Sequence, residues 1–269
     1  MYLPDTLIST LQQECGGRLS FVIREVESGA EVGRHPDRSV PTASVYKLFV
    51  LLHVAYAVEE GALDWNTRLT LLPEHQSPGT GVLTGLTPGL ALSLHDACFL
   101  MTTVSDNAAT NMILDHVGIE GVNRRLLGLG LRQTRLVPQV RGPGRERLPL
   151  ATGYTTPRET ATLLTSLVRQ TCGDSAAIRE INTLLAAQAD RTMIGRQLLP
   201  GWSYAGKTGG DSDLRADVGI VTAPGGGHFV LALFCHDLPI LGWGIDHPGV
   251  LALAELSRQA LSFSGRHHS

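Results

Sequence analysis

The chain predicts an α+β protein of sandwich type: an antiparallel sheet flanked by helices, plus an all-helical subdomain. Three observations carry this expectation. Strand-like runs sit at the two ends of the chain, at 19–25 near the start and at 202–205, 218–222 and 229–234 near the end. Gly225-Gly226-Gly227 separates the last two, which is the turn chemistry of a hairpin. The middle of the chain, from about Ser44 to Ala187, reads mainly at helical spacing. Terminal helices are expected at 4–15 and 250–261, and helices beside terminal strands predict an antiparallel sheet with a helical cover. The expected division is 1–43 with 188–269 as the sheet-plus-helix part, and 44–187 as the helical part.

Within the middle, helices are expected at 44–60, 94–104, 108–116, 120–127, 158–170 and 176–187. Gly118 follows Asp115-His116-Val117 and supplies a helix stop. Two breaks interrupt the pattern. One, 73–88, is rich in Gly, Pro, Ser and Thr. The other, 137–154, holds Pro138, Pro143 and Pro149 and the charged run Arg145-Glu146-Arg147. Long loops inside a compact domain are commonly functional, so both are read as walls of a pocket.

Composition narrows the function. A net charge of −3 and a pI of about 6.4 give no basic surplus for nucleic acid or an anionic membrane. No apolar run reaches the roughly 18–20 residues of a membrane span. Cys15, Cys98, Cys172 and Cys235 are too widely spaced for a zinc pattern and are read as reduced thiols, with Cys98 and Cys235 buried. No metal or other cofactor is expected. The N-terminus lacks a basic segment, apolar stretch and small-residue cleavage site in succession. This expects a cytoplasmic chain, or a periplasmic or secreted one whose signal has been removed. A monomer acting on a small molecule is expected.

Of the 22 basic residues, only Lys47 and Lys207 are lysine. Arginine does not deprotonate in a protein, whereas a desolvated lysine can. Both lysines fall in motifs that can carry chemistry. In Ser44-Val45-Tyr46-Lys47 the hydroxyl and amine are three residues apart, which on a helix is one face. A helix start also favours negative charge developing on an acyl oxygen. Serine needs a base to take its proton, and an uncharged lysine can do this. Ser105-Asp106-Asn107 falls between two expected helices. Its serine can relay a proton and its Asn amide can bind a carbonyl or hold a lysine, although all three residues also suit a helix cap. Lys207-Thr208-Gly209 is expected to close a strand, with a lysine to attract a carboxylate and with Gly209 and Gly210 allowing close backbone approach. Each motif alone is ordinary. The three in this order are specific.

The trio resembles the class A β-lactamases and penicillin-binding proteins, and the resemblance runs over nearly the whole chain. It implies a helical part set against a sheet-plus-helix part, with the site in the cleft between. Carried over motif by motif, it implies Ser44 as the acylated residue and Lys47 as base or base relay. Ser105 would deliver the proton to the leaving nitrogen and Asn107 would bind the substrate amide. Lys207 and Thr208 would hold a carboxylate, and Ser44 and Gly210 would supply oxyanion N–H groups. Arg215 lies near where many relatives place a carboxylate-binding arginine.

The sequence departs from class A in one place. Those enzymes carry a Glu-x-x-x-Asn loop whose glutamate positions the deacylating water. Here Thr155-Thr156-Pro157-Arg158 matches the helix start that follows this loop, but the only carboxylate in 137–154 is Glu146, and the residue four further on is Leu150. Ser77-Pro78-Gly79-Thr80-Gly81-Val82-Leu83 also differs from well-known class A enzymes. The expected activity is hydrolysis of a β-lactam through a covalent serine. The alternatives are a DD-peptidase or small-ester hydrolase on the same machinery, or a β-lactam sensor with slow deacylation. Trp65, Trp202 and Trp243 are expected to be packing residues.

Overall fold

The computed structural model describes residues 2–139, 149–170 and 175–264. The elements begin with α1 (Asp5–Cys15), β1 (Arg18–Glu25), β2 (Glu31–Arg34), β3 (Val40–Pro41) and α2 (Tyr46–Glu59). Then come β4 (Arg68–Thr70), β5 (Ala91–Ser93), α3 (Leu94–Thr103), α4 (Asn107–Val117), α5 (Ile119–Gly128), β6 (Arg135–Pro138) and β7 (Ala151–Thr155). The chain continues through α6 (Pro157–Gln170), α7 (Ala176–Ala186), β8 (Ser203–Asp211), β9 (Leu214–Thr222), β10 (His228–His236) and α8 (Pro248–Ser264). A 3-10 turn, Ala43–Val45, precedes α2. No helix among the described residues is long and apolar enough to cross a membrane.

The chain divides into two compact units. The first is Met1–Val45, Thr155–Cys172 and Asp190–Ser269, and the second is Tyr46–Tyr154 and Gly173–Ala189.

The first unit is built on a five-stranded antiparallel sheet in the order β2-β1-β10-β9-β8. Its central strand, His228–His236, is buried from end to end apart from His228. That follows from cover on both faces, because a strand with one wet face alternates and one with two dry faces does not. Leu19, Phe21, Ile23, Phe229, Leu231, Leu233 and Cys235 pack with residues of α1 and α8 in one core. α6 packs against β1, β9 and β10, burying Leu163, Leu164, Leu167 and Val168. Arg24 Nη1 donates to Thr165 Oγ1 at 3.0 Å along that seam. The sequence-based division put 155–170 with the helical part and began that part at Ser44. The structure assigns α6 to the sheet, whose second face needs a cover, and places Ser44 in the first unit.

The second unit is organised on α2. Its sequence, YKLFVLLHVAYAVE, has no polar face, and ten of its residues are buried. A helix that is apolar all round belongs in the middle of a core. α3, α4, α5 and α7 pack against it. The six helices expected in the middle of the chain all form, with ends shifted by one or two residues. The short strands β2 to β7 were not expected. With two to five residues each, they offer too little pattern to read.

Cys15, Cys98 and Cys235 are all buried, with no disulfide among the described residues. Cys15 Sγ lies 3.7 Å from Cys235 Sγ. Cys172 lies outside the described residues.

Candidate active site

Lys47 is the one charged residue on the buried stretch of α2, with 1% of its surface exposed. A buried ammonium must be surrounded by acceptors or it destabilises the fold. Its Nζ donates to Ser105 O at 2.6 Å, to Asn107 Oδ1 at 2.7 Å and to Ser105 Oγ at 3.0 Å. The second unit thus brings the lysine of the first motif onto both outer residues of the second.

Those acceptors are held by a local backbone device. Ser105 itself has φ +56°, in the left-handed region that a non-glycine residue adopts at a cost of about 1–3 kcal/mol. This kink joins α3 to α4. Asp106 caps α4, its Oδ1 accepting from Ala109 N–H at 2.9 Å, so the capping alternative weighed for this motif is correct for Asp106. Its Oδ2 accepts from Val82 N–H and Leu83 N–H at 2.6 and 2.9 Å. The 77–83 segment therefore wraps onto the motif. Thr80 Oγ1 donates to Ser105 O at 2.6 Å, and Asn107 Nδ2 donates to Pro78 O at 2.8 Å. Gly81, at φ +106°, runs so close to Asp106 that a Cβ there would collide with its carboxylate. The Asn107 amide is fixed from both ends, nitrogen to Pro78 and oxygen to Lys47.

Sequence reasoning missed Asn111, one helical turn beyond Asn107 and fully buried. Its Nδ2 donates to His75 O at 2.9 Å, and its Oδ1 accepts the Leu150 N–H at 2.8 Å. Only its spacing from Asn107 could have drawn attention to it. Glu146, between Arg145 and Arg147, lies outside the described residues.

In the first unit, Ser44 sits half-exposed in the 3-10 turn Ala43–Val45, not in α2, which begins at Tyr46. Ala43, just before it, has φ +41°, so the turn is strained where the serine is presented. Val45 N–H donates to Thr42 O at 3.0 Å. The turn rests on β8 at Gly209, where a Cβ would stand 2.7 Å from Thr42 O and 3.2 Å from Val45 N. Glycine at 209 is what allows this approach.

Lys207, Thr208, Gly209 and Gly210 lie inside β8 and do not close it, because β8 continues to Asp211 and pairs with β9 throughout. Lys207 has no exposed surface, and burial pulls its amine down to about 8, against the nearby charges of Asp190 and Asp217. Its Nζ donates to Thr208 O at 2.9 Å. Asp217, opposite Thr208 in register, is pushed up to about 7 by burial despite accepting from Tyr204 Oη and from Ile194 N–H at 2.9 Å.

Arg215 has partners other than those expected of a carboxylate-binding arginine. It is 4% exposed and donates to three backbone carbonyls: Asp211 O, Leu214 O at 2.6 Å, and Gly242 O. Its guanidinium lies 5.0 Å from the centre of the Trp243 ring. Trp202 stacks on Phe229 as a packing residue should, but Trp243 is 71% exposed, against expectation.

The chain is of the serine-hydrolase class. It belongs to the β-lactamase enzyme family, whose model matches residues 4–263. The chain is 28% identical over 242 residues to a β-lactamase of Streptomyces albus G, covering 84% of this chain and 74% of that protein. Its structure is similar to that of a β-lactamase from Sphaerobacter thermophilus, with a TM-score of 0.84, 29% identity and coverage of 97% and 96% of the two chains. It is also similar to a leucine-to-glutamate variant of PBP-A solved as an acyl-enzyme complex with penicillin G. There the TM-score is 0.82, the identity 25%, and 98% of this chain and 100% of that one are covered.

Proposed function

We propose that this protein is a serine acyl-enzyme hydrolase that reacts with β-lactams and releases the product slowly. Ser44 Oγ attacks the lactam carbonyl and forms an ester bond, while the lactam C–N bond breaks. The serine proton passes to Lys47, and Ser105 returns a proton to the leaving nitrogen. Backbone N–H groups of Ser44 and Gly210 receive the oxyanion, Asn107 binds the substrate amide, and Lys207 with Thr208 binds its carboxylate. Arg215 is given a holding role, since its donors are directed at backbone carbonyls.

One observation supports this reading above the others: the buried Lys47 amine bonded to both Ser105 and Asn107. A lysine kept only for solubility would point to water. Slow release is favoured because Leu150, an apolar residue, is fixed to Asn111 on the same helix as Asn107, and no Glu-x-x-x-Asn stretch precedes α6. This also supports the penicillin-binding or sensor alternative, in which the adduct persists.

The test is intact-protein mass spectrometry over time with excess benzylpenicillin. The expected result is a one-equivalent adduct on Ser44 that outlasts mixing and decays over minutes or longer, absent in Ser44→Ala. An adduct that survives Ser44→Ala would assign the wrong nucleophile. Rapid return of free enzyme with full drug hydrolysis would show an efficient deacylating base elsewhere.

A further inference from the structure

The segment between β10 and α8 carries four exposed apolar side chains: Ile240 at 50%, Leu241 at 70%, Trp243 at 71% and Ile245 at 60%. A loop without a task would turn such residues inward or replace them. This one is instead fastened with its side chains out. His247 Nε2 bonds Ile240 O at 2.9 Å, and Arg196 donates to Ile245 O and, at 3.0 Å, to Asp246 Oδ1. Arg215 donates to Gly242 O from beneath.

The ring of Trp243 is placed by two contacts. One face lies over the Arg215 guanidinium at 5.0 Å, an arrangement favoured by the ring quadrupole. Its edge reaches β8, where a Cβ on Gly210 would stand 3.0 Å from Cζ3. Gly210 is paired in register with Arg215, so a single cross-strand pair carries both contacts. Gly210 is also the residue next to Gly209, on which the Ser44 turn rests. The exposed indole therefore stands beside the strand to which the proposed function assigns substrate.

We propose that Trp243 is a specificity-determining residue of the Ser44 site, an apolar wall beside Gly210 that selects acyl donors bearing an aromatic group. The inference rests on the reading of Ser44 as the acylated residue. A flat, exposed aromatic ring adds attraction for another ring beyond area alone, and it repels a charged or strongly hydrated substituent that would lose water there. Arg215 is the strut of this wall. It fixes the loop through Gly242 and the ring through its own guanidinium face.

The experiment compares the second-order rate of Ser44 acylation by benzylpenicillin with that by 6-acetamidopenicillanic acid, which has the same nucleus and amide without the phenyl ring. In the wild-type protein the phenyl compound should react faster. In Trp243→Ala the ratio of the two rates should fall about tenfold, the size expected for one aromatic contact, and Trp243→Phe should keep most of it. Thermal melting checks that both variants fold. A ratio unmoved by Trp243→Ala, with Ser44 still acylated, overturns the wall and leaves the Ser44 reading standing. The same unmoved ratio, with a dimer in sedimentation that Trp243→Ala dissociates, assigns the patch to a second copy of the chain instead. No Ser44 adduct with either compound overturns both readings.

Discussion

Asn107 holds Lys47 by its side-chain oxygen at 2.7 Å while its side-chain nitrogen is tied to Pro78 O at 2.8 Å. The amide cannot flip without losing both bonds. It supplies one of three described acceptors around an amine with 1% of its surface exposed. Asn107→Ala should therefore destabilise the protein by about 1–3 kcal/mol, the cost of leaving a buried donor short of a partner. Adding Lys47→Met should recover part of this loss, because it removes the stranded charge. Urea unfolding of the two variants checks it. A double variant less stable than Asn107→Ala alone would show that the amine is not the reason for the amide.

Lys207 should impose an alkaline limb on acylation. Burial lowers its amine to about 8, so the free enzyme loses the charge that the proposed function assigns to a substrate carboxylate as pH rises through that value. The second-order acylation rate for an anionic β-lactam should fall above pH 8. In Lys207→Arg the limb should vanish, since arginine keeps its charge, even if the rate at neutral pH is lower. The depressed value also sets a stability trend. Folded Lys207 has released its proton by pH values where the unfolded lysine, at 10.5, still holds it, so stability should rise between about 8 and 10.5 from this group. An unchanged limb in Lys207→Arg would assign the titration to another residue.

What the sequence shows of this protein depends on how local the signal is. The α2 helix, β10 and α8 are long apolar runs, so they stand out, whereas β8 and β9 are legible only at 202–205 and 218–222, because Gly, Lys, Thr, Arg and Asp break the rest of their pattern. Ser44, Lys47, Ser105, Asn107 and Lys207 stand out because three short motifs fall in one order. The 3-10 turn at Ser44 could not be read, because it depends on Ala43 taking a left-handed backbone to rest against Gly209. The placement of α6 on the sheet is a tertiary choice, since an amphipathic helix states that it needs a partner and not which one. Arg215 is legible by position and not by partner, for the same reason. An arginine in a strand after the third motif is legible, but its three carbonyl partners come from Asp211, Leu214 and a loop 27 residues on.

Asp217 should leave a mark on the pH dependence of stability. Burial raises its carboxyl from 3.8 to about 7, so the folded state holds a proton that the unfolded state has lost. Within that window its contribution to stability falls as pH rises, by up to about 1.4 kcal/mol per unit. In Asp217→Asn this slope should disappear, since the amide does not titrate while it still offers an acceptor to Ile194 N–H and a donor to Tyr204 Oη. Urea unfolding from pH 4 to 7 measures the difference between the two proteins. A difference that stays constant over that range would mean the carboxyl is ionised throughout.

Leu150 should be the residue whose replacement turns a slow acyl-enzyme into a faster hydrolase. Its backbone N–H is fixed at 2.8 Å to Asn111, which is fully buried and one turn along α4 from Asn107. The backbone at 150 is therefore anchored to the helix whose first turn holds Lys47. Leucine there offers no group to take a proton from water, and hydrolysis of an ester at neutral pH needs one. Leu150→Glu supplies a carboxylate from a position whose backbone is anchored. General-base assistance is worth about 100-fold or more when well placed, so even imperfect placement should speed adduct decay by about tenfold. Leu150→Gln has the same shape without the base and should leave decay slow. The rate of adduct loss after excess drug is removed distinguishes them by mass spectrometry. If Gln accelerates decay as much as Glu, the change admits water and supplies no base. If neither does, the group that activates water is held elsewhere in the chain.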